Sequence, residues 1–476
     1  MIDRTTLSPA KRALLEKRLG RKLALDADPR GISRRSDRSR WPLTFEQERI
    51  LSIARSEGRL SCYSNAFRIA GPIDVASLES ALRGVVERHE ILRSTIRMID
   101  GELSHLAHLP CPVTLRLIDM TELPQESREE EAIKIAERMA NDPFDFGEWP
   151  LYRVALLRLG DEDHFLLLTI LHIIADRQSM GILYSELIAL YAAFSTRRES
   201  PLPALQIQYG DYAQWQRERM STEFEGDLSF WKKQLDGCSA TLRLPTSHPR
   251  PRSLTYRGKF QFMPISDDLA ESLRAMSMQE GVTLFMTMFA AFNVLLHSYT
   301  GQEDILVGVP LAKRNRPELE GLIGCFTNTL VMRTRITSDM VFRGLLQQVR
   351  DFCLDAYSHQ NLPFGLLLKE LHPTEEPGYL PLVQVGFGLQ ISNVSNAKTP
   401  GLRISSMSIN ADRAVWDLMI RVEESAGTLC VSLQYKTDLF SEEAANRILT
   451  HYRILLESIT SSSQANVSQL IIPGLS

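Results

Sequence analysis

His172 and Asp176 stand four residues apart in Leu171-His172-Ile173-Ile174-Ala175-Asp176-Arg177, the stretch whose residue types best suit chemistry. A histidine, with an unperturbed pKa of ~6.5, is largely neutral near pH 7 and can take a proton from a nucleophile or hold it by a hydrogen bond. A His and an Asp at this spacing can also ligate a metal, but the stretch supplies no third ligand, so no metal is expected. The run before it, Phe165-Leu166-Leu167-Leu168-Thr169-Ile170, is almost wholly apolar and predicts a strand buried on both faces. After it, Met180, Leu183, Tyr184, Leu187, Leu190, Tyr191 and Phe194 recur at steps of three and four, one apolar helical face. Strand, short loop and helix together present His172 at the end of a rigid element.

The chain has 476 residues, more than one compact core accommodates, with 44% hydrophobic and 24% charged residues. No apolar run approaches the ~20 residues that span a bilayer, and the start, MIDRTTLSPAKR, has no signal-peptide core, so neither membrane nor export is expected and the location reads as cytoplasmic. Six cysteines are scattered without a C-x-x-C pair, which argues for thiols rather than zinc or disulfides. The net charge of -4 gives no reason to expect nucleic acid. Residues 1–40 hold twelve Lys and Arg against five Asp and Glu, so they carry +7 and the remainder -11. Ser8-Pro9 caps a short amphipathic helix, and residues 26–40 read as a solvated linker, with the folded body starting near Trp41.

Along the body, Phe45 onward reads as helix, Ala66–Ala70 as strand, and Asp74 as the cap of a helix striped by Leu78, Leu82, Val85 and Val86. Strands at 152–159 and 164–170 flank the turn Gly160-Asp161-Glu162-Asp163. The loop Ser247-His248-Pro249-Arg250-Pro251-Arg252-Ser253 has the composition of a connector between domains. Thr283 caps an apolar helix through Leu296, 304–309 reads as a buried strand, a helix follows at 342–359, and strands are expected at 382–390, 402–409, 415–422 and 429–434. Helices and strands alternating with hairpins predict an α/β fold of two lobes with mixed sheets.

Six stretches in register resemble the motifs of nonribosomal peptide synthetase condensation domains. Pro42-Leu43-Thr44-Phe45-Glu46-Gln47-Glu48-Arg49 is similar to S-x-A-Q-x-R, and Arg88-His89-Glu90-Ile91-Leu92-Arg93 to R-H-E-x-L-R-T. Leu171 to Arg177 stands in the place of H-H-x-x-x-D-G, and Tyr209-Gly210-Asp211-Tyr212-Ala213-Gln214-Trp215 in that of Y-x-D-Y-A-x-W. Ile323 to Thr329 is similar to I-G-x-F-V-N-T, and His359-Gln360-Asn361-Leu362-Pro363-Phe364 to H-Q-D-x-P-F.

The resemblance implies two chloramphenicol-acetyltransferase-like lobes in a V-shaped pseudo-dimer, here residues 41–225 and 226–476 after the leader 1–40, monomeric as a domain. It implies transfer of an acyl or peptidyl group from a carrier-protein thioester to an amine, with no covalent cofactor of its own and phosphopantetheine arms delivered by donor and acceptor carriers or neighbouring synthetase domains. His172 is then catalytic, and Asp176 structural, salt-bridged to Arg314 across the lobes. Leu171, Arg177, Ser179 and Asn328 are the candidate substrate or tunnel contacts.

Two departures stand in the central motif. Leu171 replaces the first histidine and cannot hydrogen-bond; Arg177 replaces the glycine and can narrow the passage, meet an acidic substrate group or turn away. They keep open a non-catalytic recruitment platform, and the residues alone leave an ester-forming reaction with a hydroxyl acceptor open as well. No carrier serine motif, adenylate-forming loop or G-x-S-x-G elbow is present, so substrates must come from other proteins or domains, for which the basic leader is a candidate contact.

Overall fold

Three sheets organise the computed structural model, which describes residues 31–470 apart from 58–60, 111–112, 220–223, 254, 375, 392–400, 408–412 and 426. The amphipathic helix expected after Ser8 lies outside the described residues. Strands are numbered along the chain. β1 (Arg40–Pro42) pairs with β4 (Glu102–Ala107), which pairs with β3 (Ser94–Ile99). A five-stranded sheet runs in the order β12 (Arg403–Met407), β2 (Cys62–Ala70), β7 (Asp163–Leu171), β6 (Tyr152–Gly160) and β5 (Arg116–Asp119).

β7 sits in the middle of that sheet, and Phe165 to Leu171 are all buried, because an apolar run with no polar alternation is stable only where both faces are covered. Its antiparallel register on β2 sets Cys62 opposite Leu171, at the edge where the chain leaves the sheet. The hairpin to β6 turns at Gly160–Asp163, as the turn residues predict.

The second lobe is built on six strands, in the order β10 (Thr327–Arg335), β9 (Asp304–Ala312), β11 (Val385–Ile391), β13 (Leu418–Ser425), β14 (Thr428–Lys436) and β8 (Gly258–Ile265). β11 runs parallel to both neighbours and the other pairs are antiparallel, so the sheet is mixed. The helix Leu284–Thr300 lies in its core, buried continuously from Met286 to His297; Thr283 accepts from the Met286 N–H at 3.2 Å, and Gly301 closes the helix at φ +66°. No single helix among the described residues is long and apolar enough to cross a membrane. Of the described cysteines, Cys325 and Cys353 are buried and Cys62, Cys238 and Cys430 half-buried, all as free thiols.

The two cores exchange segments. Leu319, Leu322, Ile323, Cys325 and Phe326 pack into the first lobe's core, Phe45 packs into the second's, and β12 from the second half completes the first lobe's sheet.

Residues 31–40 correct the linker reading. Ile32 and Arg35 are buried, and Arg35 Nη1 lies 2.7 Å from Glu90 and 2.9 Å from Asp211. A charge-rich composition looks solvated, but here a single arginine ties the segment to carboxylates of two motif stretches. Gly210 leaves it room, since a Cβ there would come within 2.6 Å of the guanidinium carbon.

Candidate active site

The chain leaves β7 at Leu171 and holds His172 at three points. The His172 N–H donates to the Ser61 carbonyl at 2.9 Å, Nδ1 lies 2.9 Å from the Ala175 carbonyl, and the Tyr63 ring meets the imidazole edge-on at 4.9 Å between centroids. A carbonyl only accepts, so Nδ1 carries a proton, and the tautomer this leaves for an uncharged ring has its lone pair on Nε2. The half-buried side chain thus has one tautomer and one orientation fixed.

Asp176 ends the loop as the N-cap of the helix Arg177–Phe194. Its Oδ1 accepts from the Ser179 N–H at 2.7 Å, Ser179 Oγ at 2.8 Å and Arg314 Nη2 at 3.2 Å; its Oδ2 accepts from Arg314 Nη1 and the Phe326 N–H, both at 3.0 Å. Asp176 N–H in turn donates to the Gly324 carbonyl at 3.0 Å. The carboxylate therefore joins the helix, the 324–326 segment and Arg314. Burial pulls the Arg314 pKa down against the opposing charge of Asp176, which is the electrostatic cost of an ion pair with both side chains at most 2% exposed. Gly324 is required by packing: a Cβ there would fall 1.9 Å from the Tyr209 ring, whose hydroxyl donates to the Cys325 carbonyl at 2.9 Å.

A second polar chain supports the loop from the other side. Ser94 Oγ donates to the Ile91 carbonyl at 2.9 Å and receives the His105 Nδ1–H at 3.0 Å, leaving His105 Nε2 to accept from Gln47 Nε2 at 2.9 Å. Gln47 Nε2 also donates to the Ile173 carbonyl at 2.7 Å, next to His172. His105 is fully enclosed and stacks on Trp41 at 5.1 Å, and burial lowers its pKa to about 3, so it is neutral.

The structure places three of the candidate substrate contacts in packed, hydrogen-bonded surroundings. Leu171 is 0% exposed and belongs to the core. Ser179 is equally buried, and its hydroxyl is occupied by Asp176, Arg314 and Gly324. Asn328 donates to the Gln360 carbonyl at 3.1 Å and the Leu362 carbonyl at 2.8 Å and accepts from the Phe364 N–H at 2.9 Å, so it braces the 360–364 segment. Arg177 turns to the opposite lobe, where its Nη2 lies 2.8 Å from Glu423 of β13.

The sequence reading passed over Tyr63, His105, Arg421 and Glu423. His105 carried no local signal. The alternation of Leu418, Ile420 and Val422 with Met419, Arg421 and Glu423 did mark one face of β13 as pointing away from the core.

The Condensation domain family model matches residues 38–474. A linear gramicidin synthase of Brevibacillus parabrevis is 39% identical over 434 residues, covering 90% of this chain and 8% of that protein. Chondramide synthase cmdD of Chondromyces crocatus is 36% identical over 432 residues, covering 90% of this chain and 11% of that protein. The chain therefore spans only a small part of the curated relatives it matches. Among solved structures, the X-domain from teicoplanin biosynthesis superposes with a TM-score of 0.85 at 26% identity, covering 93% of this chain and 100% of that one. The first condensation domain of the calcium-dependent antibiotic synthetase, solved with a substrate analogue, shares the fold at a TM-score of 0.76 and 21% identity, covering 91% of this chain and 98% of that one.

Proposed function

The chain belongs to the condensation domain family, and from that premise we propose that it joins an acyl or peptidyl group, delivered as a thioester on a donor carrier's phosphopantetheine arm, to an amine delivered by an acceptor carrier. His172 carries this reading, because its Nδ1–H···O=C bond to Ala175 leaves Nε2 free to receive a proton. The amine nitrogen attacks the thioester carbonyl carbon, the C–N bond forms as the C–S bond breaks, and the proton lost by nitrogen passes to Nε2 and then to the departing thiolate. Asp176 and Arg314 act as positioning residues. They hold the loop that fixes His172 and, on this reading, do not touch substrate.

Single-turnover transfer from a loaded donor carrier to an aminoacyl acceptor carrier tests the assignment. His172→Ala is expected to lose about 10²- to 10⁴-fold in rate while staying folded; undiminished product from the folded variant refutes it. A matched hydroxyl acceptor in the same assay should give far less product.

A second reading, a platform that recruits a partner without turnover, is supported by Arg177 in the motif's glycine position and by the likeness to an X-domain solved in complex with OxyB. It predicts carrier binding with no product from any acyl donor, and product restored by Arg177→Gly counts against it.

A further inference from the structure

Arg421 lies on the face of β13 opposite the buried Leu418, Ile420 and Val422, and Glu423 follows two residues later on the same face. Glu423 is held at 2.8 Å by Arg177, the first residue of the helix that follows the His172 loop, so this face of β13 turns toward that loop. Arg421 itself is half-buried and makes a long 3.4 Å hydrogen bond to the neutral Gln434 Oε1. Among the described residues no ion pair to it is formed, and the carboxylate two residues along the strand, Glu423, is paired with Arg177. Arg177 and Glu423 pair, and Arg421 interacts electrostatically with Tyr63, the ring that packs against His172. Burial, with the like charge of Arg177 adding to it, pulls the Arg421 pKa down against the opposing influence of Tyr63 and Glu423. Burial raises the Tyr63 pKa, and the charges of Arg421 and Arg177 oppose that rise. A half-buried cation without a counter-ion has lost part of its hydration and gains from an anion that enters beside it.

We propose that Arg421, on the β13 face turned toward the His172 loop, is an anion subsite that selects a donor or acceptor carrying a carboxylate, and that Arg177 keeps it vacant for substrate by holding Glu423. The substrate's identity as a pantetheine-borne acyl or aminoacyl group rests on the proposed acyl transfer; the anion site does not.

Unreactive amide analogues test it by equilibrium titration. Aspartyl and asparaginyl aminopantetheine amides, with a free amine, probe the acceptor arm, and their N-acetyl forms probe the donor arm. The wild-type protein is expected to bind the carboxylate about tenfold or more tighter than the carboxamide in one arm, the strength of a charge-assisted hydrogen bond. R421Q should reduce that ratio to about one with carboxamide binding unchanged. Glu423→Gln should raise the ratio, and Arg177→Gln should lower it by releasing Glu423 to Arg421, so two readouts do not depend on R421Q folding. A ratio near one in both arms of the wild type, equal weakening of both analogues by R421Q, or no response to Glu423→Gln overturns the proposal. Because no analogue reacts, an intact ratio with no condensation of true thioesters would overturn the acyl-transfer reading and leave the anion site standing.

Discussion

Replacing Asp176 with asparagine keeps the side chain's shape and removes one of the two oxygens that serve five donors. With the amide nitrogen in the Oδ2 position it faces Arg314 Nη1 and the Phe326 N–H, both at 3.0 Å; turned over, it faces the Ser179 N–H at 2.7 Å, Ser179 Oγ at 2.8 Å and Arg314 Nη2 at 3.2 Å. Either orientation sets donors against donors and leaves the Arg314 side chain, 2% exposed, without its counter-ion. Leaving one member of a buried pair uncompensated costs about 3–5 kcal/mol, several times a single neutral hydrogen bond of about 1 kcal/mol. Urea denaturation of the wild type, Asp176→Asn, Arg314→Met and the double variant measures this directly. The double variant should be much less destabilised than the sum of the singles, since removing both charges abolishes the orphan. An osmolyte that restores the fold should also restore part of the Asp176→Asn transfer activity but none of that lost in His172→Ala. A single variant within about 1 kcal/mol of wild type, or additive losses in the cycle, would refute the staple.

Other consequences follow from burial. His105 has a folded pKa of about 3 against an ordinary 6.5, so below pH 6.5 the unfolded chain binds a proton that the folded one refuses, and stability falls with pH until both forms are protonated near pH 3. At pH 5 the difference of about 1.5 units corresponds to about 2 kcal/mol, so the stability gap between pH 7 and pH 5 should shrink by that amount in His105→Gln; equal gaps in the two proteins would show that His105 does not titrate in this way. Gly324→Ala places a Cβ 1.9 Å from the Tyr209 ring, and should cost about 1–3 kcal/mol or more and lower transfer by shifting the backbone that binds Asp176. Tyr209→Leu in the same background should recover part of the loss, and no recovery would mean the clash is not with that ring.

What the sequence determined by itself was local. A strand with no polar alternation before His172, the helical stripe after it, and the caps Asp74 and Thr283 were all legible, because each depends on residues within one or two turns or on a short periodic run. The order of the six motif stretches also named the family and the histidine. Tertiary structure alone decided the rest, since it turns on which distant segments meet. Asp176 and Arg314 are 138 residues apart, β12 is legible as a strand but its crossing to pair with β2 is not, and Arg35 is buried in a segment whose composition reads as solvated. The same holds at the motif's edges. Leu171 and Ser179 look available to substrate in the sequence and are enclosed in the fold, whereas Arg421, outside every motif, has the neutral Gln434 as its partner while Arg177 takes the carboxylate two residues along the strand. A charge's partner is set by chain closure across the lobes, and no local period encodes that.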